Sequence, residues 1–158
     1  MKRIAKFHKV SFEQFKEGWM GEFPQTTEAK LQKIYEDIKL PKRATAGSAG
    51  YDFYTPETFS LKSGETIKIP TGICVEMEEG WVLKLYPRSG LGIIDSDYFY
   101  SDNEGHMFAK ITNDAKQEKT LTVEKGQGFM QGIFVEYGIT VDDDATAVRN
   151  GGFGSTTK

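Results

Sequence analysis

Cysteine is almost missing from this chain: Cys74 is the only one in 158 residues. No internal disulfide can form, and a zinc site built on several thiolates is excluded. A lone thiol fits a reducing cytoplasm. Long apolar runs are missing too. Nothing approaches the roughly 18 consecutive apolar residues of a membrane helix. The opening Met1-Lys-Arg-Ile-Ala-Lys-Phe-His8 is too short in its apolar part for a signal peptide. Positive charge is not in excess, with 20 Lys and Arg against 23 Asp and Glu. No global basic field therefore recruits nucleic acid, and any anionic ligand must be met by a local cluster of donors. Histidine occurs only at His8 and His106, and both read as structural or surface residues, as Cys74 reads as packing. What remains is an ordinary soluble balance, 27% charged and 38% hydrophobic, which suits one domain handling a small molecule.

Residues 1–38 read as a helical extension. Ser11 followed by Gln14 is a capping-box pattern. Phe12, Phe15, Trp19 and Phe23 then recur three or four apart and mark one apolar face. Gly18 and Gly21 weaken this helix and Pro24 ends it. A second helix is predicted from about Thr27, with Leu31, Ile34, Tyr35 and Ile38 as its buried stripe and Pro41 closing it. Amphipathic faces usually meet their own core, so packing on the domain is the first reading and partner binding the second.

Residues 39–141 read as β structure. Strands are predicted at Phe59–Leu61, Thr66–Ile69, Ile73–Met77, Trp81–Tyr86, Phe108–Thr112, Thr120–Val123 and Gly132–Tyr137, with Ser63-Gly64, Pro70-Thr-Gly72 and Glu79-Gly80 as turns. Many short strands argue a mostly β fold, a sandwich, barrel or jelly roll. Residues 142–158 form a C-terminal arm. Asp142-Asp-Asp144 reads as a solvated loop, since three adjacent carboxylates do not converge on a metal. Arg149-Asn-Gly-Gly-Phe-Gly-Ser-Thr156 reads either as a disordered end or as a mobile flap over an anion.

Chemistry concentrates in two places of the β region. In Pro87-Arg-Ser-Gly90, Arg88 offers paired hydrogen bonds to phosphate or carboxylate, Ser89 a hydroxyl, and Gly90 close approach of the backbone to a ligand. Neighbouring backbone N–H groups can form an anion-binding nest. The same residues taken alone make an equally good polar turn. Asp95-Ser-Asp-Tyr98 sets two carboxylates beside an aromatic. An aspartate there can act as general base on water, or the segment can be an Asx-type turn.

Four segments, in order, resemble the trimeric dUTPase family: Ala49-Gly-Tyr-Asp-Phe53, Pro87-Arg-Ser-Gly-Leu-Gly92, Gly92-Ile-Ile-Asp-Ser-Asp-Tyr98 and Arg149-Asn-Gly-Gly-Phe-Gly-Ser-Thr156. Gly126-Gln-Gly-Phe-Met-Gln131 is a weaker fifth. The resemblance runs from about Leu40 to Thr156. It implies a β jelly roll, a homotrimer with sites between subunits, and Mg2+-assisted hydrolysis of dUTP to dUMP and pyrophosphate by attack of water on the α-phosphorus. It makes Asp95 the general base and Asp52 the support of the metal-bound water and of Arg88. Arg88, Ser89, Gly90 and Gln131 fall to the phosphates and Tyr98 to the deoxyribose. Arg149, Phe153, Gly154, Ser155 and Thr156 form a closing arm, with Arg149 on the terminal phosphate and Phe153 over uracil. Magnesium is held mainly by the triphosphate rather than by protein ligands.

Three departures stand out. The arginine expected three residues before Gln131 is replaced by Gly128. The family's uracil-reading hairpin has no room, because Arg88 and Asp95 are separated only by residues 89–94. About a dozen residues, two short strands and a tight turn, are missing there. Phe99-Tyr-Ser-Asp-Asn-Glu104 is inserted after Tyr98. These leave two rival readings: a non-catalytic or weakly selective deoxynucleotide-binding module, and a dCTP deaminase-like enzyme of the same fold.

Overall fold

The computed structural model describes residues 1–88 and 105–147, and the backbone alone at 94–97. Strand β1 spans Ala5–Lys9, followed by helices α1 (Phe12–Glu22) and α2 (Glu28–Glu36). Strands then follow at β2 (Lys42–Arg43), β3 (Tyr51–Tyr54), β4 (Phe59–Leu61), β5 (Thr66–Pro70), β6 (Ile73–Met77) and β7 (Trp81–Pro87). The last four are β8 (Ile94–Asp97), β9 (Phe108–Thr112), β10 (Leu121–Val123) and β11 (Gly128–Glu136).

The helices start where their caps stand. Ser11 Oγ accepts from the backbone N–H of Gln14 at 3.2 Å, and Thr27 Oγ1 accepts from that of Lys30 at 3.2 Å. Each bond satisfies one of the donors that a helix start leaves over. The apolar stripes face inward: Phe15, Trp19, Leu31 and Ile34 are buried in one cluster with Phe53, Ile69, Ile111 and Phe129. Gly18 has a packing role. A Cβ there would lie 2.8 Å from the Phe108 ring and 3.1 Å from His106, so the glycine lets α1 approach β9.

One expectation is corrected. The first 38 residues are not all helical, because β1 pairs antiparallel with β6 from Ala5 opposite Met77 to Lys9 opposite Ile73. The chain then enters α1 through Val10, whose N–H donates to Gly72 O at 2.9 Å. Gly72 has φ +75°, and a side chain on it would run into Ile38. The turn thus needs glycine for its backbone and for its neighbour.

The strands form small antiparallel sheets around the common core: β1-β6, β10-β4, β2-β3-β11-β7 and β5-β9-β8. This is the mostly β, jelly-roll-type organisation read from the strand pattern. Phe53, Leu83, Phe129 and Met130 fill the core side of the four-stranded sheet. Alternation along a strand then sends Asp52 and Tyr54 to the face opposite Phe53.

Candidate active site

The four-stranded sheet brings together residues far apart in sequence. Gln131 on β11 stands opposite Asp52 on β3 and, on its other side, opposite Tyr86 on β7. Cross-strand neighbours share a face, so the carboxamide and the carboxylate meet: Gln131 Nε2 donates to Asp52 Oδ1 at 2.9 Å. An ionised acceptor strengthens this bond and fixes the carboxylate. Gly50 makes room for it, since a Cβ there would sit 3.1 Å from Gln131 Oε1.

Arg88 follows directly on β7. Its backbone N–H donates to Phe129 O at 3.3 Å, which ties the residue to the start of β11. Its exposed side chain lies over Gly128, where an added Cβ would be 2.7 Å from Nη1. Gly128 in turn stands opposite Tyr54, and the register shifts between Gly128 and Met130. Burial is the main cause that holds the Tyr54 phenol above its ordinary pKa. The Asp52 charge adds to this and the Arg88 charge opposes it. Asp52, Tyr54, Arg88 and Gln131 therefore share one end of the sheet. It sets an exposed guanidinium near an amide-bonded carboxylate and a phenol.

Of the residues singled out in the sequence, Asp52, Arg88 and Gln131 are brought together. Asp95 has its backbone in β8, opposite Lys110 of β9, rather than in an Asx-type turn. β8 also runs close to β7, the strand that leads into Arg88. The Asp95 side chain lies outside the described residues, as do Ser89, Gly90, Tyr98, Arg149, Phe153, Gly154, Ser155 and Thr156. Two nearby side chains escaped the sequence reading. Tyr54 was legible in principle, two positions after Asp52 on an alternating strand. Lys39, with Nζ 5.6 Å from the Tyr54 ring centroid, carried no local signal because it precedes the motif. His106 is structural, as expected: it is buried and its Nε2 accepts from Gly72 N–H at 2.8 Å.

A separate cavity of about 710 Å³ opens between the N-terminal residues, Arg43, Tyr51, Trp81 and Phe134. It does not include Asp52, Arg88 or Gln131. Among the described residues no three His, Cys, Asp or Glu side chains converge to hold a metal ion, Asp142 to Asp144 included. No helix among them is long and apolar enough to cross a membrane.

The family model for dUTPase matches residues 36–157. The deoxyuridine 5′-triphosphate nucleotidohydrolase of Lactococcus lactis is 40% identical over 134 residues, covering 75% of this chain and 88% of the relative. That of Chromobacterium violaceum is 38% identical over 137 residues, covering 74% and 87%. The crystal structure of dUTPase from Streptococcus mutans superposes with a TM-score of 0.56 at 31% identity, covering 87% of this chain and 98% of that one. The shared sheet end, the ordered motifs and these likenesses converge: the chain belongs to the dUTPase family and is a dUTP nucleotidohydrolase.

Proposed function

We propose that dUTP is cleaved at this sheet end by attack of water on the α-phosphorus, releasing dUMP and pyrophosphate. The observation that carries the reading is the 2.9 Å bond from Gln131 to Asp52, on a sheet end shared with the Arg88 guanidinium. Arg88, Ser89, Gly90 and Gln131 bind and orient the phosphates. Asp95 removes the proton from the attacking water as its oxygen bonds to phosphorus. The bond from phosphorus to the α–β bridging oxygen breaks, and pyrophosphate leaves. Asp52, fixed by Gln131, orients water and Arg88. Tyr98 packs on the deoxyribose. Arg149, Phe153, Gly154, Ser155 and Thr156 close over the substrate and exclude water.

Magnesium fits this donor set as a companion of the triphosphate. Asp52 would offer a hard carboxylate oxygen to a water carried by the ion, which the triphosphate itself would hold. When bound, it would supply charge neutralisation and help fix the phosphates. A solved phage phi11 dUTPase of S. aureus is described with a structural Mg(II) ion, and the phage 80alpha dUTPase with the analogue dUpNHpp. The reading includes a homotrimer in the cytoplasm. Half-exposed or exposed Tyr86, Tyr137 and Ile139 offer apolar surface for association.

Pyrophosphate release from dUTP, dCTP and dTTP, with and without magnesium, tests the reaction and separates it from deamination and from binding alone. Asp95→Asn is expected to fold as the parent and to lose about 10²–10⁴-fold in turnover, the usual worth of a general base. Parental turnover in a folded variant would remove Asp95 from the mechanism.

A further inference from the structure

Gly128 presents a puzzle that the hydrolytic reading does not absorb. Glycine inside a strand weakens it and needs a reason. Backbone conformation is not the reason, because Gly128 is not among the glycines with positive φ. An ordinary residue could adopt its main chain.

Space supplies the reason. The three atoms nearest to a Cβ built on Gly128 all belong to Arg88: Nη1 at 2.7 Å, Cδ at 3.6 Å and Cζ at 3.8 Å. Stem and guanidinium both lie over this position, so the contact is not a passing touch of the tip. The Arg88 main chain is tied alongside, through its N–H to Phe129 O at 3.3 Å. One residue of β11 thus anchors the arginine's backbone while the preceding one receives its side chain. The register shift between Gly128 and Met130 falls at the same place. Bulges of this kind commonly re-aim side chains beside active sites. Gly128 also faces Tyr54, whose phenol senses both Asp52 and Arg88.

We propose that Gly128 is a positioning residue for dUTP hydrolysis: its missing side chain is the seat that holds Arg88 beside Asp52 and Gln131. The inference rests on the reading of Arg88 as a phosphate-binding residue. Where the family pattern carries an arginine at this position, this chain leaves the place empty and lays Arg88 into it. One guanidinium, held by the bare strand, occupies that place. A methyl group at 128 pushes the guanidinium outward while leaving its charge, its chain and the Gln131–Asp52 pair in place.

The test is a double-mutant cycle of Gly128→Ala and Arg88→Ala, with kcat, KM and thermal unfolding measured for each. G128A is expected to unfold at or above the parental temperature and to lose about tenfold in kcat/KM, since a displacement near one ångström can cost up to a hundredfold. In the R88A background the same change is expected to have no further effect, because the group it displaces is gone. A parental kcat/KM in G128A, additive losses in the cycle, or a G128A chain that fails to fold would overturn the seat. If R88A itself kept parental kcat/KM, the phosphate-binding reading of Arg88 would fall, and the seat with it.

Discussion

At Asp37 the end of α2 meets two cations. Lys125 Nζ lies 2.8 Å from Oδ2 and Lys33 Nζ 3.1 Å from Oδ1. A carboxylate at a helix C-terminus is disfavoured by the helix dipole, and the two ammonium groups offset this. Their hydrogen bonds, Lys125 first, hold the Asp37 carboxyl below its ordinary pKa. A depressed acid contributes stability that is present above its unfolded pKa, about 3.9, and is lost as pH falls through the lower folded value. Asp37→Asn is therefore expected to lower the urea midpoint slightly at pH 7. The gap from the parent should narrow below about pH 4 and in high salt, as it must for an exposed pair. A gap unchanged by pH and salt would assign the effect to packing. Gln131 is a second place where one atom decides much. Its amide fixes the Asp52 carboxylate, so Gln131→Leu is expected to reduce turnover well beyond its effect on stability, as paired measurements of kcat and melting temperature would show.

Elements differ in how plainly they were written into the chain. α2 was legible because its cap and its stripe are local: Thr27 precedes Leu31 and Ile34, which are fully buried. Replacing Thr27 with alanine should accordingly cost about 1 kcal/mol, the usual worth of such a cap, in a denaturant titration. A loss below a few tenths would mean that tertiary packing alone sets this helix start. β1 was not legible. Ala5-Lys-Phe-His-Lys9 offers a single large apolar side chain, and the strand exists because β6 accepts its backbone. Phe7 then packs on Tyr51, Phe53 and Phe134 at centroid distances of 5.3 to 5.7 Å, contacts that no local pattern announces. The site divides in the same way. Asp52, Arg88 and Gln131 were singled out through ordered motifs, whereas the contact between Gly128 and Arg88 depends on two strands lying side by side. For the C-terminal arm, deletion of residues 149–158 is expected to lower turnover far more than thermal stability. Equal loss of both would place the arm in the core rather than over the substrate.

For the molecule as a whole, the short connection between β7 and β8 bears on specificity. β7 and β8 are joined by residues 88–93, and on the family resemblance that length is too short for the base-reading hairpin. A site with fixed polar partners rejects a wrong base strongly, because mismatched groups stay buried and unpaired. With fewer such partners the penalty falls while triphosphate binding remains. The ratio of affinities for non-hydrolysable dUTP and dCTP analogues is thus expected to be small; strong preference for the uracil analogue would mean that another segment, such as 99–104, reads the base. The same architecture also sets a timetable. Asp52 and Gln131 are 79 positions apart, and the two meet only once β11 has paired with β3. A ribosome adding about 5–20 residues per second leaves Asp52 waiting on the order of ten seconds for Gln131 to be made. During synthesis the nascent chain holds its carboxylate without the amide that orients it. Catalytic competence is thus among the last properties the growing polypeptide acquires.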